Sequence, residues 1–126
     1  MEDALSQLNV FGEPIKECSC EPLTGYFRDG SCNTEENDSG LHIICAQMSQ
    51  AFLDFSLEQG NDLVTPQPHY GFPGLKHGDR WCVCADRWKQ ALASDVAPKI
   101  VLESTHQAVL DVVPMSVLKS YAIDIL

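Results

Sequence analysis

Residues 41–60 read Leu41-His42-Ile43-Ile44-Cys45-Ala46-Gln47-Met48-Ser49-Gln50-Ala51-Phe52-Leu53-Asp54-Phe55-Ser56-Leu57-Glu58-Gln59-Gly60. The first eight hold β-formers and no turn residue, so 41–48 is expected to be a strand. Ser49 then offers a side-chain oxygen to the first free amides of a helix over 50–59, and Gly60 ends it. Phe52, Phe55 and Gln59 follow the i, i+3, i+7 spacing, with Leu53 and Leu57 widening the apolar face. A strand leading at once into an amphipathic helix sets the architecture.

Outward from this pair, residues 60–79 hold Pro66, Pro68, Gly71, Pro73, Gly74 and Gly78 and form a long, shaped loop. Loops of that length in a small domain are often functional. Residues 80–85 read as a strand, Asp86 as a cap, and 87–94 as a helix. Residues 100–104 give a further strand, Thr105 caps a short turn, and 116–123 close the chain as a helix after Pro114. Upstream, Thr24-Gly25-Tyr26-Phe27-Arg28 reads as a strand entering a tight turn at Asp29-Gly30. Residues 33–40 are polar and form a surface loop, and 1–8 are expected to fray. Strands and helices mix without βαβ alternation, so the expected class is α+β: a single compact domain with a small mixed or antiparallel sheet and two to three helices packed on it. Phe52, Phe55, Trp81, Val83, Leu92, Val101 and Leu110 are the expected core.

The chain has 126 residues, one domain's worth, with 44% hydrophobic and 21% charged residues. Its formal net charge is -10. That argues against nucleic acid as a partner, since no basic patch exists to release counterions. It also argues against an anionic membrane surface, and no apolar run approaches a membrane span. The acidic start, Met1-Glu2-Asp3-Ala4-Leu5-Ser6, lacks the basic and apolar regions of a secretory signal. The expected location is cytoplasmic, with reduced thiols. No oligomeric state is assigned.

Three stretches belong together: Thr24–Gly30, Gly60-Asn61-Asp62-Leu63, and Phe72-Pro73-Gly74-Leu75-Lys76 running into Gly78-Asp79-Arg80-Trp81-Cys82-Val83-Cys84-Ala85. With Ala97-Pro98 and Thr105-His106 they resemble the DUF family numbered 2237 (domain of unknown function), over about residues 9 to 120. The Trp-Cys-x-Cys-Ala run ahead of Arg87-Trp88 is the most specific part. The resemblance implies a compact single domain and carries no catalytic residues across. Cys20 looks like an addition to the family pattern, and His77 stands where proline is usual.

Six cysteines (Cys18, Cys20, Cys32, Cys45, Cys82, Cys84) invite three readings besides plain burial. Structural zinc asks for Cys-x2–4-Cys knuckles, and none exists. Cys82 and Cys84 on one strand would lie ~6.5–7 Å apart, too far to share an ion. A metal would need a set assembled from separate elements, such as Cys45, Cys84 and His106. His42 and Cys45 share no strand face. Thiol chemistry points to Cys84, at a strand–helix junction where free amides favour a thiolate, with Arg87 one turn in. His106, at a strand end, is the candidate to orient or deprotonate it. Ligand binding points to Trp81 beside the long loop, with Arg28, Asp62, Cys45 and Cys82 as candidate contacts. No phosphate loop or Gly-x-Ser-x-Gly elbow appears, so no cofactor is expected.

The leading expectation is a thiol-containing ligand-binding or redox site for a small molecule around Cys84. The alternatives are a zinc-stabilised module and a catalytically inert binding domain. Whether the site turns anything over stays open on the sequence.

Overall fold

The structure is a computed structural model and describes residues 7–124. Its sheet has three antiparallel strands in the order β2-β1-β3, with β1 at His42–Gln47, β2 at Arg80–Cys84 and β3 at Lys99–Ile100. Three α-helices accompany it: α1 at Gln50–Glu58, α2 at Ala85–Ala93 and α3 at Met115–Tyr121. The molecule is a single compact α+β domain. Among the described residues, no helix is long and apolar enough to cross a membrane.

The 41–60 stretch folds as its residues dictate. The central strand β1 buries Ile43 through Ala46, and the Phe52 N–H donates to Ser49 Oγ at 3.2 Å, capping α1. Phe52, Leu53 and Ser56 face inward. Phe55 is only half-buried, so the inward face of α1 is turned away from it. Trp88 on α2 is fully buried, and its Nε1–H donates to the Pro98 carbonyl at 3.1 Å. That bond supplies the partner a buried indole needs.

Of the expected core, Phe52, Val83 and Val101 are buried, while Trp81 and Leu92 are half-buried. Leu110 is 40% exposed because the 3₁₀ turn Gln107–Asp111 sends Val109 inward instead. The third strand is shorter than expected. The amides of Leu102 and Glu103 donate to the Asp124 carboxylate at 2.8 and 2.9 Å, and the chain turns into a 3₁₀ helix at Leu102–Ser104. Helix α2 begins at Ala85 with Cys84 in the cap position, not at Asp86. The Ala85 N–H is held by the Leu41 carbonyl at 3.0 Å, which lets the helix start straight off β2.

The expected strand over 24–28 is absent. Gly25 has φ +106° and Arg28 φ +55°, and a side chain at Gly25 would run into the Ser31 carbonyl. The segment is a tight turn that only glycine permits there. Of the stretch expected to fray, residues 1–6 lie outside the described residues. Gln7 and Leu8 are tied in: the Gln7 side chain bridges to the Thr34 backbone, and the Gln107 N–H donates to the Leu8 carbonyl.

Two disulfides, Cys18–Cys45 and Cys32–Cys82, pin the irregular N-terminal third to the sheet, with Cα–Cα separations of 5.7 and 5.4 Å. The expectation of reduced thiols therefore fails for these four. They form a second buried cluster with Val101, apart from the main core.

Candidate functional site

Edge strand β2 would leave its outer amides unpaired, and the 24–28 turn covers it: the Cys82 N–H donates to Thr24 Oγ1 at 2.8 Å. Where turn and strand part, a cleft of about 460 Å³ opens. Trp81, Cys82, Val83 and Cys84 form one wall. Gly25, Tyr26 and Arg28 come from the turn, Asn61 and Leu63 from the long loop, His42 from β1 and Arg87 from α2.

Cys84 and Cys20 are the two free cysteines. Cys84 is half-buried and directly opposite His42 in the β1–β2 ladder, beside a register irregularity between His42 and Ile44. Opposed residues of an antiparallel pair hold their Cβ atoms ~4.5–5.5 Å apart. The two side chains are not hydrogen-bonded to each other as they stand. The His42 ring is anchored from behind, its Nδ1 lying 2.7 Å from Asp38 Oδ1. Asp38 is itself buried, and its Oδ2 accepts from Thr34 Oγ1 and from the His42 N–H, both at 3.0 Å. A side chain at Gly40 would strike the ring at Cε1, so this glycine gives the imidazole its seat. With Nδ1 committed to Asp38, Nε2 is the nitrogen left for other work.

The electropositive groups are Arg28 and Arg87. The Arg28 guanidinium lies 5.2 Å from the Trp81 ring centroid, a cation–π contact. Arg87 Nη1 donates to the Gln59 carbonyl at 3.2 Å. Tyr26, stacked against His42 at 6.4 Å, has its phenol pushed up by desolvation and then by Glu35, so it stays protonated.

The residues singled out in the sequence separate into two groups. Cys84, Cys82, Trp81 and Arg28 line one cleft. Cys45, His106 and Asp62 do not. Cys45 is buried and bonded to Cys18, which removes it from any set with Cys84. His106 is buried elsewhere: its N–H donates to the Ile43 carbonyl and its Nδ1 accepts from the Ala108 N–H at 3.0 Å. Asp62 is exposed and caps its own turn, accepting from the amides of Val64 and Thr65. The Thr65 side chain, then these amides, hold its carboxyl below the ordinary range. That contribution is present above the unfolded value and is lost as pH falls through the lowered one.

His42 and Arg87 line the cleft beside Cys84, and Asp38 holds His42 from outside the lining. The Asp38-x-x-x-His42 spacing was visible in the sequence, but its relation to Cys84 depends on a strand register that no local pattern fixes.

The model of the family described as an uncharacterized protein conserved in bacteria (DUF2237) matches residues 8–122. The chain belongs to this family. No curated protein matches it. In this DUF2237 member the Trp81-Cys82-x-Cys84-Ala85 run supplies both the cleft wall and the start of α2.

Proposed function

We propose that the cleft is a thiol-centred small-molecule site. Cys84 is its nucleophile, His42 accepts the thiol proton and Asp38 orients His42. The observation that carries this reading is the register: a free, half-buried cysteine stands opposite a histidine whose far nitrogen is held by a buried carboxylate. Nucleophile, base and orienting group are the parts that activated cysteines use. In the step itself the Cys84 sulfur bonds an electrophilic atom of the ligand while its proton passes to His42 Nε2. The bond to the leaving group breaks, and that group departs with the electron pair and takes the proton back from His42.

A redox use of the same cleft draws on one further feature. Cys82, half of the Cys32–Cys82 disulfide, lies in the same wall as Cys84. The zinc-stabilised alternative is weakened because four thiols that would serve it are closed as disulfides.

The contrast between the two free thiols supplies the test. Cys20 is exposed, but its thiol is pushed up by a hydrogen bond to Glu17, then by desolvation and the charges of Glu17, Glu21 and Asp29. A raised thiol holds less thiolate near neutral pH, and thiolate is the reactive form. Native protein treated with iodoacetamide at pH 7 is expected to show a fast phase that Cys84→Ser removes and Cys20→Ser leaves. A fast phase that survives Cys84→Ser would favour the inert binding domain.

A further inference from the structure

The charge pattern of the cleft names its ligand class. The chain carries eighteen Asp and Glu against eight Lys and Arg. Among the described residues no carboxylate lines the cleft, yet Arg28 and Arg87 both do. Neither arginine forms a salt bridge among the described residues, whose ion pairs are His42–Asp38 and Lys76–Asp79. The contacts they make are neutral. Arg28 donates to the Leu23 carbonyl at 3.3 Å and lies over Trp81. Arg87 donates to the Gln59 carbonyl and to Gln90 Oε1. Each guanidinium carries five N–H donors in a planar fork matched to carboxylate and phosphate, and most of these are unused. Among the described residues, these two cations in one concavity have no carboxylate partner.

We infer that the cleft takes a compact organic anion, whose carboxylate or phosphate sits at Arg28 and Arg87 while its electrophilic atom faces Cys84. The second half of that statement rests on the thiol reading above; the anion half stands on the arginines. A cleft of about 460 Å³ suits a metabolite-sized molecule. The surrounding net charge of -10 repels polyanions, so selection is for a small anion that fits inside.

Iodoacetate and iodoacetamide separate charge from reactivity, because they share a leaving group and nearly a shape. With either, the Cys84 S–C bond forms as the C–I bond breaks, iodide leaves with the electron pair, and the thiol proton goes through His42 to solvent. The rate ratio, iodoacetate over iodoacetamide, is measured at Cys84 on a Cys20→Ser background and divided by the same ratio for N-acetylcysteine. At low salt it is expected to exceed one by about fivefold or more, the scale of a single charge–charge contact at ~4 Å in water. It should fall toward one between ~0.02 and ~0.5 M salt as screening sets in. In Arg28→Gln/Arg87→Gln it should drop to one or below. A normalised ratio at or below one in the parent protein at low salt overturns the anion inference, however fast Cys84 reacts. Loss of reaction with both reagents overturns the thiol reading instead. The anion inference is then decided on Trp81, which is half-buried in the cleft while Trp88 is fully buried. Fluorescence quenching by iodide, relative to neutral acrylamide, should be stronger in the parent than in the double arginine variant; equal quenching overturns it.

Discussion

Replacing Cys32 and Cys82 together by alanine is expected to destabilise the fold by about 4 kcal/mol, and removing Cys18–Cys45 by about 3.5 kcal/mol. The figures follow from loop closure, since the bridges span sequence separations of 50 and 27 residues. The irregular chain before β1 supplies the physical reason. Its described residues, 7–41, hold no helix or named strand, only turns and isolated bridges, so little else limits their freedom once the crosslinks are gone. The two loops overlap in sequence, and the double removal should cost less than the sum. A thermal melt followed by circular dichroism would register the Cys32/Cys82 loss as roughly 12–20 °C. An unchanged melting temperature would mean that hydrogen bonds such as Cys82 N–H to Thr24 Oγ1 hold the segment without help. The sulfurs of Cys18, Cys32 and Cys82 all lie within 4.8 Å of one another. Stoichiometric zinc in the reduced protein, at undiminished stability, would therefore turn this cluster into a metal site and revive the zinc-stabilised alternative.

Replacement of His42 by glutamine should slow iodoacetamide at Cys84 by about a hundredfold at pH 7, the low end of what a positioned base contributes. Added imidazole should restore part of the rate in His42→Gly, where the ring leaves a vacancy against Gly40. Rescue by a free base is not expected of a residue that only holds structure. Asp38→Asn should act in the same direction and also loosen the 34–42 turn, because the carboxylate accepts from Thr34 and from the His42 amide. Equal rates in the parent and His42→Gln would remove His42 from the mechanism and leave Cys84 as an ordinary thiol in a cleft.

Local chemistry made much of this fold legible. The Ser49 cap, the apolar run of β1 and the proline- and glycine-rich loop each act within a few residues, and the α+β class follows from their order. The junction after Cys84 was visible for the same reason, although the helix begins one residue after Cys84 rather than beyond Asp86. Where long-range partners decide, the sequence was silent or misleading. Residues 24–28 carry strand-forming side chains, yet the positive φ of Gly25 and the hydrogen bonds of Gly30 to residues 18, 19 and 24 impose a turn. The strand after Ile100 yields to Asp124, a residue more than twenty positions away. The disulfides join four separate segments, and their pairing has no local signature. His106 looked like the base because it follows a strand end, but the fold spends its backbone and Nδ1 on the core. His42 meets Cys84 only through a ladder whose register is set by the whole β1–β2 pair.

The order in which the six cysteines take up label reads the reactivity of Cys84 against the other five thiol positions. Unreduced native protein receives a brief iodoacetamide pulse at pH 7, is quenched and digested, and the carbamidomethylated positions are read by mass spectrometry. Label is expected first at Cys84, later at Cys20, and not at Cys18, Cys32, Cys45 or Cys82. Label at Cys20 with Cys84 untouched would contradict it.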